Sequence, residues 1–79
     1  MTLALAKPKQ SFRILRLVVE EDSALGIRLR QLGFVEGVSC ECLTVAPLVR
    51  SPFLILIRGM RVALTRDEAA LVQVQEVAL

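Results

Sequence analysis

Polar and apolar positions alternate with a period of two over most of this chain, and two short segments switch to helical spacing. Residues 11–19 read as a strand, with Phe12 and Ile14 facing inward and Arg13 facing solvent. Leu17 falls out of phase with that pair, which predicts a bulge or bend. Val38, Cys40 and Cys42 share one face of a second strand, with Ser39 and Glu41 on the other. Phe53, Ile55 and Ile57 alternate with Leu54, Leu56 and Arg58, so a third strand is apolar on both faces. One face belongs to the core, and the other calls for cover by the helix, the N-terminal segment or another molecule. In Arg58-Gly59-Met60-Arg61 the glycine falls at the first central position of a two-residue loop, where a II′ turn needs positive φ, so residues 53–58 and 61–65 form a hairpin. Residues 72–75 alternate as a closing strand.

The first helical segment is residues 23–32. Leu25, Leu29 and Leu32 lie at i, i+4 and i+7, Ser23 is a good N-cap, and Glu20, Glu21 and Asp22 sit where the helix dipole favours negative charge. Arg28, Arg30 and Gln31 occupy the other face. Gly26 weakens the helix by ~1 kcal/mol relative to alanine and is read as a sign of an inexact helix start rather than of a close approach. Gly33 is placed to end the helix in a left-handed conformation, bringing Leu29 against Phe34. The second segment begins with the capping box Thr65-Arg66-Asp67-Glu68 and lasts a single turn, through Ala69, Ala70 and Leu71. Between the second and third strands, residues 47–52 form a loop held between Pro47 and Pro52. Prolines make poor strand but preorganised surface, so this is either a recognition loop or a plain connection whose Leu48 folds back on the sheet.

These elements add up to a mainly β fold, a small five-stranded barrel with a short inserted helix between strands 1 and 2 and a helical turn before strand 5. All 79 residues make one domain, with residues 1–7 a loosely ordered lead-in. At this length folding buries only ~60–65% of the chain's surface, and a composition that is 54% hydrophobic compensates. That hydrophobicity is no membrane signal, because the apolar runs fall far short of the ~20 residues needed to cross a bilayer. The lysines near the start follow the apolar patch rather than precede it, unlike a signal peptide. With Cys40 and Cys42 too close along one strand to bridge easily, a cytoplasmic location is expected.

Inventory limits the chemistry. There is no histidine, tryptophan or tyrosine, and ten basic against eight acidic residues leave a net charge of only +2. Ser11, Ser23, Ser39 and Ser51 have no base near them in sequence, and no phosphate-cradling loop is present, so the chain does not read as an enzyme. The carboxylates are better explained as helix-start and capping groups than as an acid–base pair. Cys40 and Cys42 would be only a fragment of a soft-metal site and are read as core residues. No cofactor is called for.

A leucine-rich helix ending in Leu32-Gly33-Phe34 with Gly37 beyond, an apolar strand, Ala46-Pro47-Leu48, a gap closed by Pro52, a strand running into Arg58-Gly59-Met60-Arg61-Val62-Ala63-Leu64, then Asp67-Glu68-Ala69-Ala70: this ordered set resembles the ferrous iron transport protein A (FeoA) family over residues 8–77. The resemblance implies an SH3-like topology and a small cytoplasmic accessory that binds or regulates FeoB, a ferrous iron permease with a cytosolic nucleotide-binding domain. On that analogy the partner-binding residues are Arg28 and Gln31 of the helix region and Leu48, Arg50 and Phe53 of the loop. Cys40 and Cys42 stand where the family more often has aliphatics, and Val49-Arg50-Ser51 replaces small or acidic residues. A nucleic-acid or regulatory module, akin to the C-terminal domain of iron-dependent repressors, is the alternative, using a stripe of Arg13, Arg16, Arg58 and Arg61. It lacks exposed aromatic platforms, since only Phe12, Phe34 and Phe53 exist and mostly at core positions. A homo-oligomer closing over the apolar strand face is compatible with the first reading. No nucleic acid and no direct membrane insertion are expected, only recruitment to the inner face of the membrane by the partner.

Overall fold

The computed structural model describes residues 1–78. Within them, β1 (Ser11–Leu17), β2 (Ser39–Val45), β3 (Phe53–Ile57), β4 (Met60–Leu64) and β5 (Val72–Val77) form one antiparallel sheet in the order β4-β3-β2-β1-β5. Helix α1 (Ala24–Gln31) lies between β1 and β2, and the short α2 (Arg66–Ala69) precedes β5. The sheet is not the closed barrel expected from the strand pattern, because β4 and β5 are its two edges and do not pair. The outer edge of β5 is taken by the N-terminal segment instead: Thr2 bridges Gln73, and the Val74 amide donates to the Met1 carbonyl at 2.9 Å.

That segment corrects a second expectation. Residues 1–7 are not a loose lead-in, since Leu3–Leu5 is a 3-10 turn and both Leu3 and Ala6 are fully buried. In a 3-10 turn side chains three apart eclipse one another, so Leu3 and Ala6 point together into the core and leave Leu5 outside. The pattern is too short to register as a helix in sequence.

The inward residues are Phe12 and Ile14 of β1, Cys40 and Cys42 of β2, Phe53, Ile55 and Ile57 of β3, Val62 and Leu64 of β4, and Val72 and Val74 of β5, closed over by Leu29, Phe34 and Ala69. The expected irregularity in β1 is a register shift against β5 between Ile14 and Arg16. It keeps Arg16 exposed where strict alternation would turn it inward, and returns Leu17 to pack against the core. Leu54 and Leu56, on the second face of β3, are half-buried beside Thr44 and Ala63 and beside Glu41 and Arg61 respectively.

Local signals hold these elements in place. Ser23 caps α1, its hydroxyl accepting from the Gly26 amide at 3.0 Å. Gly26 lies inside the helix and is a close-approach site after all, because a Cβ there would meet the Glu20 carbonyl oxygen at 2.8 Å. At the other end Gly33 takes φ +108°, with Phe34 N–H donating to the Leu29 carbonyl and Gly33 N–H to that of Arg30, both at 3.0 Å. This is the double-bonded helix stop read from sequence, and Leu29 and Phe34 are both fully buried. The β3–β4 turn differs from its expected form. Ile57 pairs with Met60, so the loop is Arg58-Gly59 and both residues have positive φ, 51° and 78°, as a I′ turn requires. The alternative loop would set Arg58 directly opposite Arg61; the observed register puts Leu56 there instead.

Candidate interaction surface

α2 joins two regions that are remote in sequence. Its capping box is complete: the Thr65 hydroxyl accepts from the Glu68 amide at 3.1 Å, and the Glu68 carboxylate accepts from the Thr65 amide at 2.8 Å. The other carboxylate oxygen accepts from Arg28 of α1 at 2.5 Å, the one ion pair among the described residues. Held chiefly by the Thr65 amide and further by Arg28, the Glu68 carboxyl titrates below its usual range. On its other side α2 grips the β2–β3 loop, Arg66 N–H donating to the Ser51 hydroxyl at 3.2 Å and its guanidinium to the Val49 carbonyl at 3.4 Å.

The loop is fastened once more by Arg50. Its backbone takes φ 50°, and its guanidinium donates to the carbonyls of Ala6 at 2.9 Å and Ala4 at 3.3 Å while lying 5.6 Å from the centre of the Phe53 ring. Helix α1, helix α2, the loop and the N-terminal turn are thereby linked in series at one end of the molecule. Apolar side chains project from that end: Leu48 is 96% exposed, Val49 61% and Leu5 63%.

The five residues expected to bind a partner sort as follows. Arg28 and Leu48 are at this surface. Arg50 is there too, but as the fastening that ties the loop to the N-terminal turn. Gln31 is exposed on α1 three residues beyond Arg28, hence on the same helix face. Phe53 is the correction: it is fully buried, because the pleat that puts Ile55 and Ile57 in the core carries Phe53 with them. Sequence reasoning did not single out Leu5, Arg66 or Glu68 for this surface. The Thr65–Glu68 capping box was legible, but its second use as an anchor for Arg28 depends on tertiary packing.

Elsewhere the geometry narrows the chemistry. Cys40 and Cys42 are buried as free thiols, and burial reinforced by Cys42 pushes the Cys40 thiol up to about 11. Burial raises Cys42 as well, with Arg50 pulling the other way. Among the described residues no three Cys, Asp or Glu side chains converge as a metal site would need. All three phenylalanines, the only aromatic residues, are fully buried, so no base-stacking platform exists. A cleft of about 350 Å³ between the end of β1 and α1 carries Arg16 and Arg30, but these are held by Gln73 and by the Glu21 carbonyl, and Glu21 and Glu36 line the same cleft.

A five-stranded antiparallel sheet with an inserted helix defines a small SH3-like domain. The FeoA domain model matches residues 1–76, and the chain belongs to the FeoA family, which is associated with ferrous iron transport. Stenotrophomonas maltophilia FeoA, solved with zinc and suggested as a ferrous iron transport activating factor, is 30% identical over 95% of this chain and 89% of its own, with a TM-score of 0.83. Iron(II) transport protein A of Clostridium thermocellum is 35% identical over 98% of this chain, which spans 46% of that one, with a TM-score of 0.89. IdeR of T. acidophilum, at 20% identity, 95% of this chain, 33% of its own length and a TM-score of 0.78, shares the fold. No curated protein sequence gives a significant match.

Proposed function

We propose that this chain is a non-enzymatic accessory of ferrous iron uptake, working in the cytoplasm as an interaction module on the cytosolic nucleotide-binding domain of a FeoB-type permease. Family membership supports the pathway, and one structural observation carries the docking: the Arg28–Glu68 pair ties α1 to α2 and so sets the exposed α1 face beside the fastened loop. The contact assigned to the permease domain is the α1 side, Ile27, Arg28 and Gln31, with the loop residues Leu48 and Arg50 at its border. Ile27 supplies an exposed apolar side chain between polar neighbours, the composition expected of a transient contact. Titration of the purified permease domain with this protein tests the reading. Saturable binding with a Kd at or below ~100 μM, weakened by Ile27→Asp or Gln31→Glu with the fold intact, is the expected result. No binding at that concentration would remove the reading.

A further inference from the structure

The apolar tip formed by Leu48, Val49 and Leu5 is not explained by the α1 contact. Its three side chains come from two separate segments, and Arg50 brings the segments together by binding the carbonyls on either side of Leu5. They project from turns instead of lining a groove, and the depression beside them, about 150 Å³, is bordered by Ser51, Thr65, Arg66 and Asp67, a polar set apart from Val49. Fastened backbone with freely exposed apolar side chains is a costly way to make a plain connection, because large exposed hydrophobics gain nothing in a monomer.

The surrounding charge is mostly of one sign. Lys7 follows directly on Ala6, Arg50 lies under the tip, and Arg66 holds the Val49 carbonyl, all on exposed residues. Against them stands Asp67, while the Glu68 carboxylate is already engaged by Thr65 and Arg28. An exposed apolar tip with three cations and one free carboxylate beside it matches a surface that is negative, yielding and apolar a few ångströms down. A protein partner would have to bring a pocket shaped to it; an anionic bilayer needs only charge and depth.

We infer that the Leu5–Leu48–Val49 tip is a peripheral membrane anchor that seats in the headgroup zone of anionic lipid. The association is interfacial, not spanning, and among the described residues no helix is long and apolar enough to cross. It goes beyond the permease reading and does not depend on it, since lipid alone is the ligand.

Co-sedimentation of the full chain with vesicles tests it, using pure phosphatidylcholine against phosphatidylcholine with one-third phosphatidylglycerol. Net two positive charges at the tip favour the anionic vesicles by roughly 30-fold at low salt, from about 1 kcal/mol per basic residue. Leu48→Asp with Val49→Asp abolishes the binding and leaves the thermal unfolding midpoint in place, because neither side chain is buried. Lys7→Glu takes the tip's net charge from two to zero and removes most of that roughly 30-fold preference. Equal binding to both vesicle types, no binding to either, or binding that survives the double substitution overturns the anchor. If the double variant instead loses the permease domain in a lipid-free titration while the parent chain ignores vesicles, the tip is a protein contact and the anchor is equally overturned. Failure of the permease titration with lipid binding intact removes only the functional reading above.

Discussion

The Arg50 guanidinium lies over the Phe53 ring, its carbon 5.6 Å from the ring centre, while the same group donates to the carbonyls of Ala4 and Ala6. One side chain therefore roofs the end of β3 and fastens the N-terminal turn that covers the β5 edge. Arg50→Ala is expected to lower stability by ~1 kcal/mol, the usual net value of a hydrogen-bonded group at a partly open site. Its distinctive effect is local: amide exchange at Leu3–Ala6 speeds up before the rest of the sheet is affected. Arg50→Lys restores protection only in part, because an ammonium can donate to both carbonyls as the single Nη2 does but leaves the Phe53 ring without the guanidinium over it.

Leu48 and Phe53 were paired by sequence analogy as loop contacts, and the structure separates them completely. Phe53→Ala is expected to cost ~3–5 kcal/mol, the value for truncating a buried phenylalanine, enough to unfold a domain of this size in mild urea. Leu48→Ala should stay within ~0.5 kcal/mol of the parent. Urea midpoints of the two variants check the assignment, and similar losses in both would refute it.

How much was legible follows from the range of the signals. Most of what is set by spacing within a few residues was readable, Gly26 excepted: the Ser23 cap, the Gly33 stop packing Leu29 on Phe34, the capping box, the inward thiols, the bulge in β1. What failed depended on distance or on a rule with two solutions. Whether β5 closes onto β4 or accepts Thr2 is decided by Leu3 and Ala6 finding the core, and a three-residue turn leaves no periodic trace. Gly59 announces a tight turn, yet I′ and II′ turns place the glycine differently. The candidate surface was half legible, since Arg28 and Leu48 were found but Arg66 and Glu68, which bring them together, act through contacts 17 and 40 residues away in sequence, respectively.

Glu68 gives the fold an acid-sensitive joint. Its carboxyl is held below the usual range in the folded protein, first by the Thr65 amide and then by Arg28. A depressed carboxyl contributes stability that is present above its ordinary value near 4.5 and is lost as pH falls through the lower folded value. Urea unfolding from pH 7 to pH 3 should therefore show a steeper acid loss in the parent than in Glu68→Gln. Thr65→Ala costs ~1 kcal/mol at pH 7. Arg28→Ala costs at most about half that, because the arginine side is 56% exposed.

The two thiols make the opposite prediction at alkaline pH. With Cys40 raised to about 11 by burial and by Cys42, the unfolded chain releases that proton before the folded one. Stability is thus unaffected at neutral pH and declines as pH rises from about 9 toward 11. In native protein at pH 8 a disulfide reagent should label neither cysteine on the timescale of seconds, and both should react fully in urea. Cys40→Val keeps the inward volume and flattens the alkaline decline. Fast labelling of the native protein would contradict the inward placement of β2.

The β3–β4 turn gives a test that separates two loop registers. With Arg58 at φ 51° and Gly59 at φ 78°, both central residues are left-handed, and asparagine tolerates that region better than arginine. Arg58→Asn should therefore stabilise the protein by about 0.5 kcal/mol. Part of the gain is offset by loss of the arginine stem that approaches Gly33, where a Cβ would meet the Arg58 Cδ at 3.1 Å. Gly59→Ala should cost ~1 kcal/mol, since alanine is strained at that φ. Were the loop Gly59-Met60, the benefit of asparagine would disappear at Arg58, which would then be an ordinary strand residue. Thermal midpoints of the two variants, measured side by side, decide between the registers, and a stabilised Arg58→Asn agrees only with the one that keeps Arg58 and Arg61 from facing each other.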